Sequence, residues 1–481
     1  MAGIGFELKK IYKKEGISRA LLGAFYSSVV TIGPTIVIIV VILLLYLAMK
    51  MSSVGIYERE VLSDTILYVF IFSVCLTSPF NSVFSRYLAD KFYNEQYDDI
   101  LCSYYSGILV VSVLAMILGV PVMLSMYFRG HLDLVYILIS YVLWASAVVL
   151  FFSITYLHAT KDYKLIAIFY FGGMLIGGGF SCLLFFVFGW YPRHSIISGL
   201  ALAFFLIAVS EFTYIRHYFS GKGNNYSECL KYLWIHRRIF LTNLFYILGL
   251  YVHNFYFWTI EGRLLVANTF ISHMSYDMAT CLAMFTNITT TIIFTVIAET
   301  RFHETYQDYM ESVIGGTYRK IQETKRIMFR GMSQQLGQVF SLQVSITCVI
   351  FLILIIFGSR IGFSNMTMQI YPVLAVAYLG VFVMYCNIVY LYYFEDTLGS
   401  MLTGLIFMSV TLIGTYFSAK LPVAFYGAGL FVGMLCSWIF SYLRLRAVER
   451  DFDAHIFCRY KIINTMKSSE KGIIVYSRDK G

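Results

Sequence analysis

Residues 35–49 read TIVIIVVILLLYLAM, fifteen positions without one charge. An unbroken apolar run of this kind is a membrane-helix signature, whereas outer-membrane barrels show only weak alternation in segments of roughly ten residues. The rest of the chain repeats the pattern. Its 481 residues are 59% hydrophobic, 18% aromatic and only 13% charged, with a mean hydropathy of +0.73. A soluble domain carries roughly 25% charged residues, so most of this surface faces lipid. Twelve apolar runs are long enough to span a bilayer: about 21–48, 64–86, 102–128, 132–157, 165–189, 194–216, 239–259, 277–298, 339–359, 366–394, 398–419 and 423–443. The fold class predicted is an all-α polytopic membrane protein of twelve transmembrane helices in two six-helix lobes.

Lysine and arginine set the orientation. With the N-terminus cytoplasmic, cytoplasmic segments hold 29 of the 36 basic residues and outer loops hold seven. This bias accounts for the net charge of +9 through topology and anionic lipid contact, without nucleic acid. The first span follows Lys9, Lys10, Lys13, Lys14 and Arg19 and is expected to stay uncleaved. The predicted division is 1–20 as an N-terminal cytoplasmic segment, 21–216 as the N-lobe, and 217–238 as a linker. The C-lobe follows at 239–446, with a cytoplasmic loop at 299–338, and then a cytoplasmic tail at 447–481.

A short phrase supports two related halves. KFYNEQYDD (91–99) follows the second span, and RFHETYQD (301–308) follows the eighth. YLHATKDY (156–163) and YYFEDT (392–397) likewise close the fourth and tenth. A parallel repeat of six spans places each pair at equivalent positions, with substrate between the halves near the midplane. Within 299–338, residues 306–332 mix apolar and basic positions at helical spacing, as in an amphipathic helix on the inner leaflet or a docking surface.

Enzyme signatures are missing. There is no Walker A, H-E-x-x-H or G-x-S-x-G motif, and no extramembrane stretch long enough for a catalytic domain. No catalytic residue, metal ligand or cofactor is expected. The nine cysteines are scattered without a C-x-x-C pair. The glycine cluster GGMLIGGGF (172–180) puts Gly173 and Gly177 at small-xxx-small spacing, which suits close helix packing better than a phosphate loop.

Polar groups within spans are the functional candidates, because they are costly in lipid. In GLYVHNFYFW (249–258), His253 and Asn254 can hydrogen-bond polyols, and Tyr251, Tyr256 and Trp258 offer ring faces. Asn81, Asn287 and Asn387 are further substrate-path candidates; Asn243 is read as a helix fastener. Glu211 reads as interfacial. Gly33, Pro34 and Pro79 are hinge candidates, since proline removes a helical hydrogen bond. No mid-span carboxylate or cationic cluster stands out to name a coupling ion or a pyrophosphate substrate.

The opening MAGIGFELKKIYKKEG, TIGPTI of the first span, SRYLADKFY after the second and HNFYFW of the seventh resemble the PelG family, the inner-membrane transporters of Pel exopolysaccharide systems within the multidrug/oligosaccharidyl-lipid/polysaccharide (MOP) flippase superfamily. The resemblance runs along essentially the whole chain. It implies a V-shaped cavity between two lobes, alternating access, and export of an N-acetylgalactosamine-rich polysaccharide for a biofilm matrix. It also implies partnership with the Pel glycosyltransferase and with the membrane proteins PelD and PelE. A lipid-linked oligosaccharide flippase or MATE-like small-molecule antiporter on the same fold, and a membrane-embedded transferase using His253, are the competing expectations.

Overall fold

The computed structural model describes Gly33 and residues 35–453, apart from 161, 222 and 298–301. Six helices form the N half: α1 (Thr35–Ala48), α2 (Ile56–Tyr93), α3 (Asp98–Phe128), α4 (Leu134–Thr160), α5 (Tyr163–Phe186) and α6 (Pro192–Tyr218). A short helix, α7 (Glu228–Ile235), leads into the C half. That half comprises α8 (Arg237–Phe257), a hairpin of β1 (Leu264–Val266) and β2 (Phe270–Ser272), α9 (Met274–Ile297), α10 (His303–Gly315), α11 (Tyr318–Ile361), α12 (Asn365–Tyr393), α13 (Thr397–Ser418) and α14 (Ala428–Arg450). Ten of these helices are long and apolar enough to cross a membrane. Helices α1 and α9 occupy the first and eighth predicted spans. The earlier part of the first predicted span lies outside the described residues.

Each half has a main core of its own, and the C-half hairpin adds Val266, Ala267 and Phe270 to that of the N half. In the N half α6 packs on α4 and α5, and α4 on α2 and α3. In the C half α13 packs on α8 and α14, and α12 on α9 and α14. The α5–α6 contact rests on glycine. A Cβ at Gly173 would overlap Ile207, and one at Gly177 would overlap the Gly199 carbonyl and Ala203, so the two backbones touch. Large apolar side chains left outside, such as Leu109 and Ile117 on α3 and Leu352 and Ile356 on α11, form the lipid-facing surface.

The two halves repeat one capping device. Asp162 accepts a hydrogen bond from Leu165 N and starts α5; Asp396 accepts one from Gly399 N and starts α13. Each aspartate also meets the last helix of its own half, through Tyr214 (3.4 Å) and Arg444 (2.5 Å). The phrases at 91–99 and 301–308 likewise follow the second span of each half. Their local shapes differ. The first makes a tight turn with Glu95 at φ 57°, and the second opens α10.

The connection read at 299–338, with its helical spacing over 306–332, holds α10 and the start of α11, a single 44-residue helix that continues through the ninth predicted span. At 1.5 Å per residue α11 is about 66 Å long, twice the hydrocarbon thickness of about 30 Å. The first turns of α11 pack with α10 and the end of α14 around Phe302, Phe329, Phe394 and Phe452. This aromatic cluster buries an apolar stripe that hydropathy alone could not separate from a surface helix. The end of the bundle holding 91–99, 228–238, 303–338 and 444–453 is rich in lysine and arginine and is called here the basic end.

Candidate functional site: the seam between the halves

Helix α2 carries most of the contact between the halves. It packs along α8 and reaches α7 and the hairpin. Phe80 meets Phe240 edge-on at 5.1 Å, and Val74 and Cys75 pack against the C-half core.

At the end opposite the basic one, the hairpin closes the seam. Its tip crosses to the N half, where Thr269 Oγ1 donates to the Ser125 carbonyl (3.1 Å) and Asn268 Nδ2 to that of Arg129 (3.4 Å). The tip's left-handed residues, Ala267 and Asn268 (φ 49° and 48°), make the tight reversal this requires. Tyr68 on α2 then takes both backbone groups of Ile271: its hydroxyl donates to the carbonyl (2.7 Å) and accepts from the N–H (2.9 Å). The Tyr68 ring stacks on Trp258 at 5.1 Å and 6°, and Phe72 stacks on Phe255. Ser272 Oγ donates to Asp64 Oδ2 (3.2 Å).

Behind this latch lies Asp277. Its carboxylate accepts from Asn254 Nδ2 (2.7 Å), Trp258 Nε1 (3.0 Å) and the His273 backbone N–H (2.9 Å). This buried network fixes the Trp258 ring against Tyr68. Burial holds the His273 imidazole below its ordinary pKa, so it stands neutral beside the latch near pH 7.

At the basic end a different contact bridges the halves. Arg86 on α2 pairs with Glu395 in the α12–α13 turn at 2.9 Å and with Asp90 at 3.3 Å. Asp90 also accepts from the Tyr232 hydroxyl on α7. The Tyr232 ring lies 4.1 Å from that of His236. Burial, then the bond to Asp90, raises the Tyr232 pKa; burial, then Arg86, lowers that of His236. Glu395 sits at φ 56°, a left-handed position that closes the turn and offers its carboxylate to Arg86. A cavity of about 330 Å³ lies next to this bridge, lined by Trp234, His236, Arg237, Arg238 and Thr397.

The candidates chosen from sequence fall in several places. Trp258 lies in the seam, and Asn254 supports it through Asp277. His253 is buried inside the C half, between the hydroxyls of Tyr276 (2.8 Å to Nδ1) and Tyr378 (3.1 Å to Nε2). Tyr378 donates onward to the Leu250 carbonyl, so the arrangement fits a neutral Nε2–H imidazole joining α8, α9 and α12. Tyr251 and Tyr256 are half-buried. Asn81 bonds the Phe151 carbonyl within the N half. Asn287 joins Ala375 and Gln343, and Asn387 joins Ser441, within the C half. Asn243 bonds Tyr392, again within the C half. Pro79 lies inside the continuous α2, with Ser82 Oγ donating to its carbonyl (2.8 Å). Gly33 is helical, and Pro34 lies outside the described residues.

Sequence reading missed Asp64, Tyr68, Arg86, Asp277 and Glu395. Glu211 is fully buried on α6, beside the Tyr170 hydroxyl of α5. Asp277 had a usable signal, an acid just inside the apolar run 277–298. Tyr68 had none.

A family model described as "PelG: Putative exopolysaccharide Exporter (EPS-E)" matches residues 1–457. No curated protein matches the sequence significantly. Among solved structures, the eukaryotic MATE transporter AtDTX14 superposes with a TM-score of 0.60 at 11% identity, covering 88% of this chain and 96% of its own. The Vibrio cholerae MATE transporter VcmN, in its bent form, gives 0.59 at 11%, covering 90% and 97%. A MOP superfamily transporter from Pyrococcus furiosus gives 0.57 at 14%, covering 88% and 96%. At these identities the likeness is one of fold, that of twelve helices in two lobes.

Proposed function

Because the chain belongs to the PelG family of exopolysaccharide exporters, we propose that it carries a Pel-type, N-acetylgalactosamine-rich polysaccharide across the bacterial cytoplasmic membrane for the biofilm matrix, by alternating access between its two lobes. The observation that carries this reading is the seam. Each lobe has a main core of its own; the lobes meet through one main helix pair, with the hairpin packed into the N-lobe core at one end and an ion pair at the other. Contacts of that kind re-form cheaply, whereas a shared core does not. In this reading the basic end and both termini face the cytoplasm, where a Pel glycosyltransferase and PelD- and PelE-type proteins deliver the polymer. Trp258, held by Asn254 and Asp277, stands on the path, with Tyr251 and Tyr256 near it. Pro79 lets α2 bend as the lobes rock. His253, Asn287 and Asn387 fasten helices within the C-lobe.

The primary test is deletion of the gene in its native host. Polymer outside the cell is expected to disappear and to return with the wild-type gene, while glycosyltransferase activity persists in extracts. Unchanged secretion would remove the polysaccharide reading and leave a small-molecule antiporter on this fold.

A second test addresses the ion pair. Its partners are about one-third and one-half exposed, so it contributes no more than about 1 kcal/mol to stability. Its effect is on the balance between states. Arg86→Glu is expected to lower export severalfold at normal membrane level, and Arg86→Glu with Glu395→Arg to recover most of it. Equal export by wild type and the single variant would show that the pair does not bias the seam.

A further inference from the structure

The first half of α11 stands in water. Lys325 pairs with Asp453 (3.0 Å), ten residues past the end of the α14 apolar run, and Phe329 meets Phe452 at 4.9 Å. The helix therefore rises beside the end of α14 and does not lie along the leaflet. Counted from the start of its own apolar run at 339, Arg330, Arg326 and Arg319 stand about 13, 20 and 30 Å beyond the hydrocarbon. At about 100° per residue these three fall within about 40° of one another, so they form one row along the exposed face of the helix.

The row is uncompensated. None of the three arginines has a carboxylate partner among the described residues. Glu323, on the same face, pairs with none of them; Asp453 is held by Lys325 and Glu449 by Arg446. Near the row the side chains of Ile327 (52%), Tyr318 (78%) and, at the end of α10, Ile314 (88%) are exposed. In the spans such exposure faces lipid, but at this height it faces water, and apolar groups in water beside arginines mark a protein contact. Carboxylates take paired hydrogen bonds from guanidinium groups, and apolar neighbours exclude water from them. The chain's own segments fit this face less well. Residues 454–481 hold six Lys or Arg against two Asp or Glu. The exposed face of α10, with Glu304, Gln307, Asp308 and Glu311, has no apolar group to set against Ile327.

We propose that the arginine row of α11 docks an acidic amphipathic helix of another protein on the same side of the membrane as the basic end. Carboxylates of that helix pair with Arg319, Arg326 and Arg330, and its apolar side chains cover Ile327 and Tyr318. The contact is made in water, to a helix that belongs to the C-lobe. It rests on the reading above only in naming that side the cytoplasm.

The test is photo-crosslinking in the native host, with the full chain carrying a photoreactive phenylalanine analogue in place of Ile327. The adduct, mapped by mass spectrometry, is expected in a segment of another protein where Asp or Glu recurs at helical spacing. Arg326→Glu with Arg330→Glu should lower its yield about tenfold, because like charges then face each other. Lys164→Glu with Arg216→Glu makes the same charge change at exposed positions of the N-lobe and should leave the yield unchanged. Equal losses in both double variants would reduce the effect to net charge and overturn the site. So would an unchanged yield in the first, the absence of any adduct, or an adduct to lipid, to a second copy of this chain, to its own tail or to a segment without acids. If the first double variant fails to accumulate, Arg330→Gln is read in its place, with an expected loss of about threefold. Adduct yield is read without measuring export, so the outcome stands apart from which polymer is carried.

Discussion

Cross-linking position 64 to position 272 is expected to stop export. Ser272 Oγ and Asp64 Oδ2 lie 3.2 Å apart across the seam, one on each lobe. In a background lacking the nine native cysteines, Asp64→Cys with Ser272→Cys can be oxidised or bridged by a short thiol reagent. A covalent bond there holds the hairpin on α2 and keeps that end shut, so on the proposed alternating-access cycle the state open at this end becomes inaccessible. Export should fall about tenfold or more on cross-linking and return on reduction, since a locked minor state cannot be repopulated. Asp64→Cys alone and Ser272→Cys alone should not respond to oxidant. Normal export by verified cross-linked protein would mean that polymer leaves without this seam opening, and alternating access would fall with it.

The second large effect concerns folding. Gly177→Leu is expected to remove most of the protein from the membrane. A side chain there must displace the Gly199 backbone and Ala203, and helix backbones in direct contact have no rotamer to yield. Overpacking usually costs about 1–3 kcal/mol, and more where the obstacle is main chain. The same cluster supplies its own control. Gly172 and Gly179 have nothing within 4 Å of an added Cβ, so Gly172→Leu and Gly179→Leu should accumulate normally. Fluorescence-detected size exclusion of the three variants reads this directly. Equal levels for all three would show that α5 and α6 do not need the close approach.

The fold was legible because its main determinant is local. A run such as 35–49 specifies a membrane helix without reference to any other part of the chain, and Gly173 with Gly177 announces a packing face by spacing alone. The duplicated acidic ends at Asp162 and Asp396 were legible for the same reason, since a cap acts within four residues. The seam was not. Tyr68 meets Ile271 across 203 positions, and Arg86 meets Glu395 across 309. Neither partner is unusual in its own neighbourhood. The hairpin strands are three residues each, too short for an alternation signal. His253 drew notice because it is polar among aromatics, yet its partners are the buried tyrosines 276 and 378. The length of α11 escaped because hydropathy reports where a helix enters lipid, not where its hydrogen bonding ends.

That length has a mechanical consequence. About 20 residues of α11 lie on the basic side of its apolar run, so the helix acts as a pointer roughly 30 Å long fixed to the C-lobe. Tilting that lobe by about 10° swings the tip near Gly316 by about 5 Å, by simple geometry on the same rise per residue. A lobe motion confined to the bilayer would thereby be magnified into a displacement in water.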